Sequence, residues 1–222
     1  MKTYIELKNT FGDKGLMDLA LTHRSWVNEN PGKRRSNERL EFLGDAVLEF
    51  IVSNALYQKF PLKEEGFLTA LRAQLVNTIS LSQVAINMDL GKYIYLSKGE
   101  EDGGGRENPS ILANTTEAII GALFLDKGTS GAETFIKDNI LVDLEAKAKK
   151  ELKDPKSLIQ EIVQSKGFGT PKYRVLSEEG PDHAKVFTIE IVVDGQSLGT
   201  GAGKNKSEAA QSAAASALEK FL

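Results

Sequence analysis

The chain has 222 residues, 41% of them hydrophobic, which is enough for one large domain or two smaller ones with real cores. It contains no cysteine, which excludes disulfides, thiolate zinc sites and cysteine nucleophiles, so with only two histidines any metal is expected to be held by oxygen. A formal net charge of −3 argues against indiscriminate coating of nucleic acid, and no run of about 18 apolar residues is present to span a bilayer.

The start of the chain, Met1 to Glu6, lacks the long apolar stretch of a secretory signal, so a cytoplasmic location is expected. To about residue 150 the hydrophobic pattern is helical, with amphipathic runs at 36–57, 67–86, 110–125 and 131–149. The glycine-rich stretch 101–106 breaks this pattern and is expected to be a flexible loop. Pro109 then falls near a helix start, where its missing N–H costs nothing.

A charged stretch at 147–154 marks a change of character and places a domain boundary, giving domains at 1–150 and 151–222. Beyond it, 155–166 reads as a helix and 172–177, 184–193 and 196–201 as strands rich in Val, Ile, Phe and Tyr. Turns fall at Gly180-Pro181 and at the hairpin pair Asp194-Gly195, and an alanine-rich helix follows at 207–221. The expected architecture is multidomain: an all-α domain followed by an α+β domain of order αβββα.

On the first long helix, Glu38, Glu41 and Asp45 are spaced by three and then four residues, which gathers them within an arc of roughly 60°. Leu40, Leu43, Val47, Phe50 and Ile51 fall toward the other side and are expected to be buried. Such a stripe is usually a solvated face, and Arg39 offers a simple partner for it. The balance shifts toward a platform for a hard divalent cation because Asn114 and Glu117 stand at helical spacing in a second segment and Glu65 in a third. Small residues around that second segment, Ala113, Ala118, Gly121 and Ala122, would let its helix approach another closely. With His23 and His183 far apart in sequence, imidazole chemistry has little to work with.

The run Asn37-Glu38-Arg39-Leu40-Glu41-Phe42-Leu43-Gly44-Asp45-Ala46-Val47 resembles the signature of the ribonuclease III family of double-stranded-RNA endonucleases. Further blocks match in the family's order: Ala20-Leu21-Thr22-His23, Glu65 to Ala73, Leu96 to Glu101, and Ser110 to Ala113 followed by Glu117-Ala118. The resemblance implies Mg²⁺, with Mn²⁺ as a substitute, and cleavage leaving 5′-phosphate and 3′-hydroxyl ends. Carried over residue by residue, Glu41, Asp45 and Glu117 are the core metal ligands with Asn114 in the fourth position. Asp45 and Glu117 are catalytic, and Glu38 and Glu65 are supporting carboxylates near the cut strand.

Where the family pattern has Asp, this chain has Asn114. The amide keeps one oxygen able to coordinate but removes a negative charge. The expected consequence is lowered metal affinity in an enzyme that still cuts; the alternative is a double-stranded-RNA-binding protein with impaired or lost cleavage. Phe42 resembles the aromatic that inserts into a partner subunit. The resemblance therefore implies a homodimer whose two sites make staggered cuts with short 3′ overhangs, processing ribosomal and messenger RNA precursors.

The second domain resembles the double-stranded-RNA-binding domain. Its implied contacts are Gln160, Glu161 and Gln164 on the first helix, His183 in the turn after the first strand, and Lys204 and Lys206 before the last helix. A second lysine common in the family is replaced by Ser207. Recognition of A-form shape, 2′-hydroxyls and phosphates predicts selection of duplex RNA with little sequence preference and with steep salt dependence. The stretch from Gly199 to Asn205 superficially suggests a phosphate-binding loop, but the first glycine is misplaced and Asn205 stands where Ser or Thr must hold Mg²⁺, so no nucleotide cofactor is expected.

Overall fold

A computed structural model describes residues 4–142, 144–151, 154–181 and 185–220. Its internal packing divides the chain into two compact units, Met1–Leu144 and Glu145–Leu222. His183 and its neighbours at 182–184 lie outside the described residues. No helix among those described is long and apolar enough to cross a membrane.

The first unit is helical. Three short helices, α1 (Tyr4–Thr10), α2 (Lys14–Ala20) and α3 (Arg24–Glu29), lead into the long α4 (Glu38–Lys59). Then come α5 (Glu65–Val76), α6 (Thr78–Asn87), the short α7 (Lys98–Asp102) and the longest helix, α8 (Pro109–Asn139). α4 and α8 form the centre. Leu48, Val52 and Leu56 of α4 share the buried core with Ile119 and Ile120 of α8, Leu81 and Ala85 of α6, and Leu71 and Leu75 of α5.

Two glycines set the closeness of the α4–α8 pair. A Cβ on Gly44 would stand 1.8 Å from the carbonyl oxygen of Glu117, and one on Gly121 would stand 2.2 Å from that of Leu40. Backbone therefore meets backbone, as a site shared between two helices requires.

Several expectations need correction. The single helix at 67–86 is interrupted at Asn77, whose extended backbone ends α5 and whose side chain caps α6 by accepting from Ser80 N at 2.9 Å. The stretch 101–106 is ordered rather than loose: α7 runs into it, and Arg106 donates to the Gly91 and Ile94 carbonyls at 2.7 and 3.2 Å while pairing with Glu101. The run at 131–149 is not one helix. α8 passes through a kink at Gly128 (φ 68°) and ends at Asn139, and a separate α9 (Leu144–Glu151) covers the charged stretch. Phe50 is 65% exposed rather than buried: it sits at the flank of the α4 apolar stripe, lining an open pocket with Leu68 and Arg72 of α5.

The second unit holds α10 (Pro155–Ser165), β1 (Lys172–Glu179), β2 (Val186–Val193), β3 (Gln196–Gly203) and α11 (Lys206–Leu218). The strands form an antiparallel meander in the order β1-β2-β3. Asp194 (φ 49°) and Gly195 (φ 82°) make the β2–β3 turn with both residues left-handed, the geometry that suits the twist of a hairpin. Ile159 and Val163 of α10, Ile189, Ile191 and Val193 of β2 and the alanines of α11 make the core. The glycines that superficially suggested a phosphate loop are packing residues. Cβ atoms on Gly199, Gly201 and Gly203 would stand 2.8, 2.1 and 2.4 Å from the backbone nitrogens of Ala217, Ala213 and Ala209, so alternate strand positions meet every fourth helix position.

Candidate active site and RNA-binding face

The contact of Gly44 with Gly121 brings the acidic face of α4 beside the Asn114–Glu117 turn of α8. Glu38, Glu41, Asp45, Asn114 and Glu117 line one cleft of about 710 Å³. Phe42, 81% exposed, lies at the same cleft. Glu65 does not; in this chain it lines a separate, more apolar pocket with Phe50, Tyr57, Leu68 and Arg72, and its carboxylate accepts from Thr69 at 2.8 Å.

The start of α4 is anchored from below. Asn37 is buried, donates its amide to the Ala20 carbonyl at 3.0 Å, and donates its backbone N–H to the Thr22 carbonyl at 2.9 Å. Glu38 accepts from Ser36 at 2.7 Å and Arg24 at 2.8 Å; these bonds hold its carboxyl below its usual range. It is thus a fixed anion at the cleft.

Glu41 and Glu117 are in the opposite condition. Burial, then the like charges of Asp45, Glu41 and Glu49, push the Glu117 carboxyl up to about 7. Burial, followed by Glu38 and Asp45, raises that of Glu41. The charges acting on these two carboxyls are all anions. Among the described residues no three acidic side chains are grouped tightly enough to enclose an ion as they stand, as expected of like charges with no counter-ion between them. The donor set is entirely oxygen and mostly anionic, which is the chemistry a hard divalent cation takes, and on that ground the residues fit Mg²⁺.

The α3 side of this cleft, where His23, Arg24, Ser25 and Asn28 stand, holds none of the site residues expected from the sequence. The signal available was the block Ala20-Leu21-Thr22-His23, which contains the histidine. In the structure, this segment is pinned by backbone bonds to Tyr95 on one side and Asn37 on the other.

In the second unit, Glu161 and Gln164 are exposed on α10, and Gln160 is half-buried. The Lys206 ammonium lies 2.8 Å from Glu178 and over the Phe187 ring at 5.5 Å. Lys204 donates its backbone N–H to Glu208, while Asn205 caps α11 through Glu208 N. The two lysines thus share one end of the sheet with two carboxylates.

Two family models match in succession, Ribonuclease-III-like over residues 13–144 and Double-stranded RNA binding motif over residues 155–221. Ribonuclease 3 of Bacillus cereus strain G9842 is 46% identical over 213 residues, spanning 96% of this chain and 87% of its own length. The Ribonuclease 3 of Bacillus anthracis strain CDC 684 / NRRL 3495 gives the same figures. Among solved structures, the nuclease domain of ribonuclease III from Campylobacter jejuni superposes with a TM-score of 0.57 at 44% identity, covering 64% of this chain and 97% of that one. A second structure of that domain, with the same TM-score and identity, is described for flexibility in the region involved in its dimer formation. The chain therefore belongs to the ribonuclease III family and is an endoribonuclease, with a helical nuclease domain preceding a double-stranded-RNA-binding domain.

Proposed function

We propose that this chain cuts double-stranded RNA in a Mg²⁺-dependent hydrolysis, with Mn²⁺ as a substitute, leaving 5′-phosphates, 3′-hydroxyls and short 3′ overhangs. It works in the cytoplasm on ribosomal and messenger RNA precursors. The observation that carries this reading is the single cleft lined by Glu41, Asp45, Glu117 and Asn114, where burial, and after it the like charges of its neighbours, push the Glu117 carboxyl up to about 7.

Glu41, Asp45 and Glu117 would hold the ion through carboxylate oxygens and Asn114 through its amide oxygen. The chemistry such an ion would supply is positive charge at the phosphate and a lowered pKa of water. Glu38, kept ionised by Arg24 and Ser36, adds a fixed negative charge beside the cleft without moving. Asn114 makes the set one charge poorer than four carboxylates would be, so metal binding is weakened and cutting is retained.

Cutting both strands requires two such clefts, and the exposed apolar residues of α4 support self-association. Phe42 is 81% exposed, Phe50 65% and Tyr57 73%, one after another along the helix, an apolar array that favours a partner surface. A second copy of this chain is the partner we propose.

The test is incubation of the purified chain with a long RNA duplex and Mg²⁺ or Mn²⁺, beside an Asn114→Asp variant. Cutting by both, with the variant needing less metal, is expected. An inert chain whose activity appears only in the variant would reject the reading and leave a duplex binder.

A further inference from the structure

His23 is a lone histidine in the cleft, and the network around it fixes what it offers. Its Nδ1 accepts the Ser25 backbone N–H at 3.2 Å and stands 2.8 Å from the Ser25 hydroxyl, which itself accepts from Ser97 N at 3.0 Å. Because Nδ1 accepts the Ser25 backbone N–H, it carries no proton, and the Ser25 hydroxyl beside it is the donor of that pair. The neutral ring therefore carries its proton on Nε2. The ring cannot turn without breaking these bonds, and the backbone beneath it is held: His23 N donates to the Tyr95 carbonyl at 3.1 Å, and Tyr95 N to that of Leu21 at 2.8 Å.

The cleft that His23 lines is otherwise dominated by oxygen acceptors, Glu38, Glu41, Asp45 and Glu117 among them. An anionic RNA strand entering such a cleft needs donors as well as a cation. Arg24 is already committed to Glu38. His23 and Asn28 are the other side chains of the α3 side able to supply N–H groups.

We propose that the Nε2–H of His23, assisted by the amide of Asn28, holds a phosphodiester oxygen of the RNA strand next to the one being cut. The assignment rests on the hydrolytic reading given above. His23 then contacts substrate directly, while Ser25 and Ser97 position it.

The test is a single-turnover cleavage assay on a short RNA duplex in which methylphosphonates replace one phosphate at a time around the cut. It is run on the full chain, on His23→Asn and on Asn28→Ala. Asparagine at position 23 keeps a side-chain acceptor for Ser25 N, the cap of α3, but withdraws the Nε2–H. Asn28→Ala alters an exposed side chain and leaves that cap alone.

The expected result is a loss of about ten- to a hundredfold for His23→Asn, the size of a hydrogen bond to a charged group. A similar loss should arise from one particular methylphosphonate in the unmodified chain, with little further loss when the two are combined. Asn28→Ala should show a smaller loss centred on the same phosphate or its neighbour. Losses that multiply at every position, or unchanged cutting in both variants, would overturn the assignment while leaving the hydrolytic reading intact. Failure of the unmodified chain to cut the all-phosphate duplex would overturn both.

Discussion

In the nuclease unit, Glu41 and Glu117 face other carboxylates. In the RNA-binding unit, Lys206 lies 2.8 Å from Glu178, and Arg174 lies 2.8 Å from Glu190. The first arrangement leaves the repulsion between partly buried like charges unrelieved, which on the function proposed above a bound cation would relieve. The second is already relieved internally, so a phosphate must displace a carboxylate before it gains a lysine. On the function proposed above, metal and RNA affinity therefore have different origins. One unit is starved of counter-charge, and the other has to exchange it.

The largest expected effect attacks the contact that creates the acidic cleft. Gly44→Ala places a Cβ 1.8 Å from a backbone oxygen, where no flexible side chain can yield, and should cost more than about 3 kcal/mol or abolish folding of the first unit. A thermal melt with two transitions, of which the RNA-binding unit's is unmoved, would fit. An unchanged profile would contradict the packing argument.

Next in size is Glu117→Gln, which should lower cleavage by about a hundredfold or more while leaving duplex affinity nearly as it was. A gel-shift and a cleavage assay on one preparation decide it, and parallel loss of both would contradict the separation of roles. The same variant tests the unrelieved charge by pH. With its carboxyl near 7 when folded and 4.5 when unfolded, Glu117 keeps its proton in the folded chain over a window where the unfolded chain has lost it. Its contribution to metal-free stability is therefore full below about 4.5 and falls as pH rises to about 7. The melting temperature of the unmodified chain relative to Glu117→Gln should decline across that window; a flat difference would remove the account of Glu117.

Asn114→Asp should lower the Mg²⁺ concentration for half-maximal cutting by about 10–100-fold, since it restores a carboxylate to the set. The smallest effect belongs to the relieved side of the comparison. Glu178→Gln frees Lys206 and should tighten duplex RNA binding only by roughly two- to fivefold, the worth of an exposed ion pair, with a steeper salt dependence.

Much of this was written in the residues. The spacing of Glu38, Glu41 and Asp45 placed them on one face of α4, and the small residues of α8 forecast the close approach that Gly44 and Gly121 make. The strands and the Asp194-Gly195 turn followed from alternation and turn chemistry. What stayed hidden had physical reasons. The apolar period runs on through Asn77, so a cap within it does not interrupt the pattern. The order of the glycine-rich stretch comes from Arg106 reaching back to carbonyls 12 and 15 residues away. Exposure of Phe50 depends on what covers the flank of α4, which periodicity does not report. The separation of Glu65 from the cleft is likewise set by tertiary packing, as is the fixing of the His23 ring through Ser97, 72 residues from Ser25.

Electron paramagnetic resonance of Mn²⁺ titrated into the full chain, beside Glu117→Gln, reads out whether the α4–α8 cleft takes a divalent cation as proposed. A bound ion for each chain is expected, with an affinity at least about tenfold lower in the variant. Equal binding by the two proteins would contradict the proposal.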